Sequence, residues 1–162
     1  MQPDSSKTVW KGKKIAVTVE EWDGREREIV EHPGAVAIVA VDGDGRIAFV
    51  RQPREATRQK LLELPAGTRE EGEDALATAK RELQEECGLT GGEWTRLGGF
   101  WTTPGFTREY MDVFLAEGVE HGEPAPEDDG DLEVVLVRRD EIRLADLDDA
   151  KSIAGLALYF GR

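Results

Sequence analysis

Short apolar runs separated by turn residues occupy the first third of the chain and predict β-structure. Residues 8–30 contain two β-branched runs on either side of Asp23-Gly24, which is a strong hairpin signal. The run at 35–41 is uninterrupted and apolar, and a turn sequence at 42–45 joins it to a second apolar run at 46–50. We therefore expect an N-terminal β-ribbon, followed by a hairpin in a central sheet.

A helical periodicity begins at Asp74 and ends near Cys87. No proline or internal glycine interrupts this segment, and Gly88 suits a left-handed C-cap. At about 100° per residue, one arc carries side chains that would face the core: Leu76, Ala79, Leu83 and Cys87. The neighbouring arc is acidic and carries three carboxylates: Glu82, Glu85 and Glu86.

Beyond this helix the pattern returns to strands and ends in short helices. Strands are predicted at 94–103, 110–116 and 132–137, and helical patterns at 139–147 and 150–159. The stretch between the second and third of these strands is polar and acidic, which is typical of a solvated loop.

Length and charge exclude several classes of protein. A chain of 162 residues suits one domain, and a net charge of −13 leaves no basic surface for a nucleic-acid backbone. The single cysteine, Cys87, excludes an internal disulfide and is expected to be a core residue. No apolar run approaches the roughly 20 residues that cross a membrane, and residues 1–10 lack an apolar signal segment. We therefore expect a cytoplasmic protein with no membrane or nucleic-acid partner.

The acidic face of the predicted helix requires a compensating charge. Three glutamates within one turn repel one another, and only Lys80 and Arg81 are near. Arg81 lies one turn before Glu85 and can hold it by an ion pair, which leaves Glu82 and Glu86 for a hard divalent cation such as Mg²⁺ or Mn²⁺. On charge alone, a solvated acidic helix face is an equally good interpretation.

The segments before the helix favour the metal interpretation. The turn at Gly67 places a backbone carbonyl, that of Ala66, where it can serve as a further oxygen ligand. Arg51 and Arg54 follow the strand at 46–50, and guanidinium groups match phosphate oxygens. Each arginine alone is more often a solvated surface charge. Their position beside an acidic helix indicates a phosphate-binding role.

The spacing of residues 67–89 resembles the full signature of the Nudix hydrolases. Gly67 is followed by five residues, Glu73, seven residues and then the run RELQEECGL. The resemblance implies an α/β (α+β) fold, an α/β/α sandwich with a mixed sheet, in which the signature forms a loop, a helix and a second loop. It divides the chain into an N-terminal β-ribbon at 1–32, which is part of the same domain, and a Nudix hydrolase domain at 33–162.

The surrounding sequence is similar to that of ADP-ribose pyrophosphatases. The similarity rests on the N-terminal ribbon and on three short sequences, VRQ at 50–52, LPAG at 64–67 and PGFT at 104–107. It implies Mg²⁺-dependent hydrolysis, with Mn²⁺ as an alternative cofactor, of the diphosphate bond of ADP-ribose to AMP and ribose 5-phosphate. It also implies a homodimer in which the ribbon packs on a second copy.

The resemblance assigns roles to individual residues. The expected metal ligands are the Ala66 carbonyl, Glu82 and Glu86, with Glu85 as a further ligand or as the residue that positions or deprotonates water. Arg81 and Glu73 would orient these carboxylates. The expected substrate-binding residues are Arg51 and Arg54 for the phosphates, Lys14, Ile15 or a nearby tryptophan for the adenine, and Pro104, Gly105 and Glu109.

One departure from the family pattern concerns the acidic loop. Family members usually carry a glutamate there as a base or an extra metal ligand, and the best-aligned position in this chain is Gly130. The nearest replacements are Asp128 and Asp129, with Glu127 and Glu109 behind them.

Two other functions stay open. A pyrophosphatase for another nucleotide sugar, such as GDP-mannose, or for a dinucleotide would carry the same signature, because the sugar pocket leaves little trace in sequence. A non-catalytic, ligand-sensing Nudix module would be expected to lack a signature glutamate, whereas all three are present here.

Overall fold

The computed structural model describes residues 1–122 and 131–162. The N-terminal strands are β1 (Ser5–Lys11), β2 (Ala16–Trp22) and β3 (Arg25–Glu31). The remaining strands are β4 (Ala35–Asp42), β5 (Arg46–Arg54), β6 (Gln59–Glu63), β7 (Ala66–Thr68), β8 (Leu89–Trp101), β9 (Tyr110–His121) and β10 (Glu133–Arg138). The helices are α1 (Ala75–Cys87) and α2 (Ala150–Phe160), with short 3₁₀ helices at Arg139–Glu141 and Leu144–Asp146.

The N-terminal strands form a separate antiparallel sheet in the order β1-β2-β3. Asp23 and Gly24 both have positive φ, 51° and 71°, as a tight two-residue hairpin requires, so the predicted hairpin is confirmed. The first β-branched run, however, contains two strands and not one. It folds back at Gly12, whose N–H donates a 2.9 Å hydrogen bond to the Ile15 carbonyl.

The main sheet has seven strands, and its longest path is β10-β5-β4-β9-β8. β4 and β9 are parallel, whereas the other paired strands of this sheet are antiparallel, which confirms the mixed sheet. β4 is buried on both faces. Val36 and Ile38 pack in one cluster with α1, and Val39, which points the other way, packs with Leu156 of α2. The sheet is therefore covered by one helix on each face, as in the predicted sandwich.

Helix α1 has the limits that its sequence predicts. The Asp74 side chain caps the N-terminus by accepting from the Leu76 and Ala77 N–H groups, and Gly88 ends the helix in the left-handed conformation at φ 62°. The buried face includes Ala79, Leu83 and Cys87, as expected. Leu76 is only partly buried, and Thr78 is the fourth fully buried residue of the helix.

Other differences lie in the second half of the chain. β8 begins directly after the cap of α1, five residues earlier than predicted, and β9 extends to His121. The segment 139–147 forms two 3₁₀ turns, while α2 forms as expected. Among residues 1–122 and 131–162, no helix is long and apolar enough to cross a membrane. The loop residues Glu127, Asp128, Asp129 and Gly130 lie outside the described residues.

Candidate active site

The signature loop and helix meet where β7 lies beside α1. β7 pairs with the first residues of β4, so the backbone of Ala66 and Gly67 is fixed at the edge of the core. The Glu82 side chain lies directly against Gly67, and a Cβ atom at residue 67 would overlap its carboxyl group. The glycine of the signature therefore provides space for a glutamate of the signature.

Glu86 lies against the same backbone. Its Oε2 accepts a 3.0 Å hydrogen bond from the Ala66 N–H. Burial raises the pKa of Glu86 to about 7; the Ala66 hydrogen bond acts against this shift, and the charge of Glu82 adds to it. Burial also raises the pKa of Glu82, although the charge and hydrogen bond of Arg81 oppose that shift. The two carboxylates are therefore held close together in a partly dehydrated environment.

Arg81 connects the carboxylates of the signature. Its Nε and Nη2 atoms both lie 3.1 Å from the carboxylate of Glu73, and its Nη1 atom lies 2.8 Å from both Glu82 and Glu85. The predicted Arg81–Glu85 ion pair is confirmed. The Arg81 hydrogen bonds and a bond from the Glu70 N–H lower the pKa of Glu73 to about 2. Arg81 therefore links Glu73, which precedes the helix, to Glu82 and Glu85 on its acidic face.

The residues present fit a hard divalent cation. Ala66, Glu82 and Glu86 offer oxygen atoms, which Mg²⁺ and Mn²⁺ prefer, and a bound cation would relieve the repulsion between the two partly buried carboxylates. In the described part of the chain, no group of three or more His, Cys, Asp or Glu side chains forms a ready-made site. The candidate set is therefore two carboxylates and a backbone carbonyl, although Arg81 pairs with Glu82 as well as with Glu85, contrary to the expectation that it leaves Glu82 free.

The two arginines expected to bind phosphate are each paired with a carboxylate. Arg51 Nε lies 3.3 Å from Glu133 in an exposed pair. Arg54 donates from Nε and Nη2 to the buried Glu63, at 2.9 and 2.5 Å. Neither guanidinium is an unpaired surface charge.

The turn between β1 and β2 carries the residues expected to contact the adenine. Ile15 is 38% exposed. Burial is the main cause of the raised pKa of Glu82, and the charge of Lys14 is the smallest of the effects that oppose it. The turn thus carries an exposed apolar side chain next to a cationic one.

The turn after β8 packs on the N-terminal sheet. The Val30 N–H donates to the Phe106 carbonyl at 2.7 Å, and Arg108 pairs with the buried Glu20 at 2.8 Å. A cavity of about 400 Å³ separates the two elements; its lining includes Trp22, Ile29, Pro104, Phe106 and Arg108. Gly105 lies in the same turn, and the space that a Cβ atom would take there is open.

Glu109 closes this turn. It accepts a 2.8 Å hydrogen bond from the Thr102 hydroxyl, and its Oε1 lies 3.8 Å from His32 Nε2. These contacts hold the carboxylate beside the loop that joins the two sheets.

Residues 31–156 match the NUDIX domain family model. The chain belongs to the Nudix family. Among the relatives of this Nudix domain, the ADP-ribose pyrophosphatase of Bacillus subtilis (strain 168) is 44% identical over 114 residues, 67% of this chain and 62% of the relative. The ADP-ribose pyrophosphatase of Mycobacterium tuberculosis (strain ATCC 25618 / H37Rv) is 49% identical over 100 residues, 60% of this chain and 48% of the relative.

Two further similarities widen the comparison. The methanol dehydrogenase activator of Bacillus methanolicus is 41% identical over 112 residues, 69% of this chain and 60% of that protein. A solved structure described as an ADP compounds hydrolase superposes with a TM-score of 0.80 over 99% of this chain and 92% of that one, at 20% identity, which shows the fold alone. The Nudix domain thus aligns with less than two thirds of the length of each of these three sequence relatives.

Sequence reasoning missed Glu63 and Lys151. Glu63 is 1% exposed and binds both Arg54 and Lys151, the latter at 2.5 Å. The available signal was an acidic residue inside the apolar run at 61–64, because a carboxylate that must be buried needs a cationic partner. Nothing in the sequence of α2 identified Lys151 as that partner.

Proposed function

We propose that this chain hydrolyses the diphosphate bond of ADP-ribose, with Mg²⁺ or Mn²⁺ as cofactor, to give AMP and ribose 5-phosphate. The observation that carries the proposal is the convergence of Glu82 and Glu86 on the backbone of Ala66 and Gly67. The similarity to two proteins named ADP-ribose pyrophosphatase supports this choice of substrate.

The metal ion would supply Lewis acidity and neutralise charge that develops on the diphosphate. Glu82, Glu86 and the Ala66 carbonyl would hold it. Arg81 Nη1 lies 2.8 Å from the Glu85 carboxylate and fixes its orientation. The Glu85 carboxylate would position the attacking water or accept its proton. The water oxygen forms the new bond to phosphorus, and the bond from that phosphorus to the bridging oxygen breaks.

The phosphate groups would bind to arginines at the end of β5. Arg54 is held in one orientation by Glu63, and Arg51 lies three residues earlier on the same strand. Lys14 and Ile15 would contact the adenine, and Pro104, Gly105 and Glu109 would complete the substrate site. We also propose that the active form is a homodimer, in which the N-terminal sheet packs on a second copy.

A product assay tests the activity directly. ADP-ribose, GDP-mannose, UDP-glucose and a dinucleotide are incubated with the protein in Mg²⁺, in Mn²⁺ and in EDTA, and the products are separated. We expect AMP and ribose 5-phosphate only with metal, and a kcat/KM for ADP-ribose about tenfold or more above the other substrates. Equal rates for ADP-ribose and GDP-mannose would overturn the substrate assignment. Undiminished hydrolysis in EDTA would overturn the metal assignment.

Two variants and labelled water refine the test. Glu82→Gln and Glu86→Gln keep the shape of the side chain and should lower turnover by about 100-fold or more, because they remove charges that act on the transition state. In ¹⁸O-water, label in AMP places the attack on the adenosyl-side phosphorus, and label in ribose 5-phosphate places it on the other. Parental turnover in Glu86→Gln at limiting Mg²⁺ would contradict the proposed ligand set.

A further inference from the structure

A buried ion-pair network joins the ends of β5 and β6 to the first turn of α2. Glu63 is 1% exposed, and its carboxylate accepts from Arg54 Nε at 2.9 Å, Arg54 Nη2 at 2.5 Å and Lys151 Nζ at 2.5 Å. Gln52 Nε2 lies 3.5 Å from the same carboxylate. A carboxylate with this burial is held between two cations from different parts of the fold.

The network is anchored on the α2 side by two further residues. Lys151 Nζ also lies 3.0 Å from Asp149 Oδ2, which in turn accepts from the Ser152 N–H at 2.9 Å. The Ser152 hydroxyl accepts a 2.7 Å hydrogen bond from the Leu64 N–H. Residues 63 and 64 are thus both tied to α2, directly before the strand that carries the Ala66 carbonyl.

The Glu63 contact uses one edge of the Arg54 guanidinium. Only Nε and Nη2 bind Glu63, and no acceptor within the described residues contacts Nη1. The Arg54 side chain is 40% exposed, and Glu63 lies three residues before Ala66, whose N–H binds Glu86. The unused edge of Arg54 therefore belongs to a guanidinium that is fixed in place and partly accessible, and its partner Glu63 directly precedes the segment that carries Ala66.

Stability alone does not account for such a network. Glu63 and Lys151 lose most of their hydration, and replacing a buried ion pair by apolar residues is often neutral or stabilising. An arginine that must meet a phosphate, in contrast, loses less conformational entropy on binding when its orientation is already set.

We propose that Glu63 is a positioning residue for Arg54: it holds the Nε and Nη2 edge of the guanidinium so that the remaining N–H groups meet the diphosphate of the substrate, and Lys151 holds Glu63 in turn. The proposal rests on the proposed function, because it assigns Arg54 to the phosphates of the same site. It adds two residues, from β6 and α2, that act on the substrate only through Arg54.

A double-mutant cycle tests this chain of contacts. Glu63→Gln, Arg54→Gln and the double variant are compared for kcat, KM and the affinity of the α,β-methylene analogue of ADP-ribose, which binding calorimetry measures without turnover. We expect Glu63→Gln alone to lower kcat/KM and analogue affinity about tenfold, mainly through KM. In the Arg54→Gln background the same change should have an effect of less than about twofold, because the residue it positions is gone.

The outcomes separate a positioning role from a structural one. If Glu63→Gln lowers kcat/KM and analogue affinity by the same factor in the parent and in Arg54→Gln, Glu63 does not act through Arg54 and the proposal is overturned. The matched control is Asp42→Asn, which removes a carboxylate that lies 2.8 Å from Arg46. Asp42 is the last residue of β4, at the end of the strand away from Ala66. This variant should leave kcat/KM and analogue affinity unchanged. If Glu63→Gln does not fold, as judged by circular dichroism, the cycle is run with Lys151→Gln, for which we expect an effect of about threefold that is also lost in Arg54→Gln.

The binding measurement keeps this proposal separate from the activity. A parent protein that binds the analogue with the expected coupling but does not hydrolyse ADP-ribose supports the role of Glu63 and overturns the proposed function. A parent protein that hydrolyses ADP-ribose with additive effects supports the function and overturns the role of Glu63. A parent protein that neither binds nor hydrolyses overturns both.

Discussion

The backbone of Gly67 lies against the carboxyl group of Glu82, so closely that a Cβ atom at residue 67 would occupy the same space. Gly67 does not have positive φ, unlike Gly72 and Gly88 nearby in the chain. The glycine is therefore required for the room that it leaves and not for an unusual backbone conformation. This contact connects the first residue of the signature to a candidate metal ligand.

Gly67→Ala should displace the Glu82 carboxylate without unfolding the protein. We expect Mn²⁺ affinity and kcat/KM to fall by about 10- to 100-fold, on the scale of disturbed metal-site geometry. Electron paramagnetic resonance measures Mn²⁺ binding, and thermal unfolding checks the fold. The control is Gly43→Ala, since no atom lies within 4 Å of a Cβ there. Unchanged Mn²⁺ affinity in Gly67→Ala would show that the Glu82 position in the fold is not the one that binds metal.

The ionised Glu86 side chain should lower the free energy of unfolding when no metal is bound. Its pKa is raised to about 7, chiefly by burial, so the folded protein holds a proton on Glu86 that the unfolded chain releases near pH 4.3. The stability of the parent should therefore fall as pH rises between these values. At pH 8 in EDTA, we expect Glu86→Gln to have a free energy of unfolding about 1 to 3 kcal/mol above that of the parent.

Urea unfolding at several pH values checks this expectation. The difference between Glu86→Gln and the parent should disappear near pH 4, where both folded and unfolded parent carry the proton. Saturating Mg²⁺ should reverse the order, because it binds and stabilises only the parent. Equal stabilities at pH 8 in EDTA would mean that water or rearrangement already relieves the buried charge.

Sequence patterns predicted the fold well wherever a local rule decides the structure. The uninterrupted apolar run of β4 and the glycine cap at Gly88 are local features of the sequence, and both are confirmed. The pairing of Arg81 with Glu85 follows from their helical spacing. The partner of Glu63 on α2 could not be predicted, because Lys151 is 88 residues away and only the packing of α2 on the sheet brings it near.

Asp128 and Asp129 lie outside the described residues, and their role stays a prediction from the sequence. If one of them replaces the usual loop glutamate, its change to Asn should lower kcat by about 10- to 100-fold and change KM less, because a base acts mainly in the transition state. Steady-state kinetics with ADP-ribose measure both constants. Asp131→Asn is the control, since this exposed neighbour pairs with Lys60 at 3.5 Å. Full turnover in both single variants and in the double variant would move the base to the signature helix or to Glu109.

The N-terminal sheet has an exposed face suited to a second copy of the chain. All of β1 is exposed, and its Val9 and Trp10 side chains are 53% and 54% exposed. We expect light scattering to report about twice 17.9 kDa for the parent and the monomer mass for Trp10→Glu, since a buried unpaired charge opposes association. Leu158→Gln, which changes an exposed leucine of α2, should remain dimeric. A parent that is monomeric and fully active at micromolar concentration would contradict this assembly.

The parallel pairing of β4 with β9 also sets the order in which the protein can fold. Ala35 pairs with Met111, and the chain between them contains the whole signature. Closing this long loop is slow compared with forming the β4–β5 hairpin or α1, because its entropic cost precedes any gain from the contacts. The candidate metal ligands are thus carried on the crossover, and in refolding experiments Mn²⁺ binding should recover only in the final kinetic phase, together with the burial of β4.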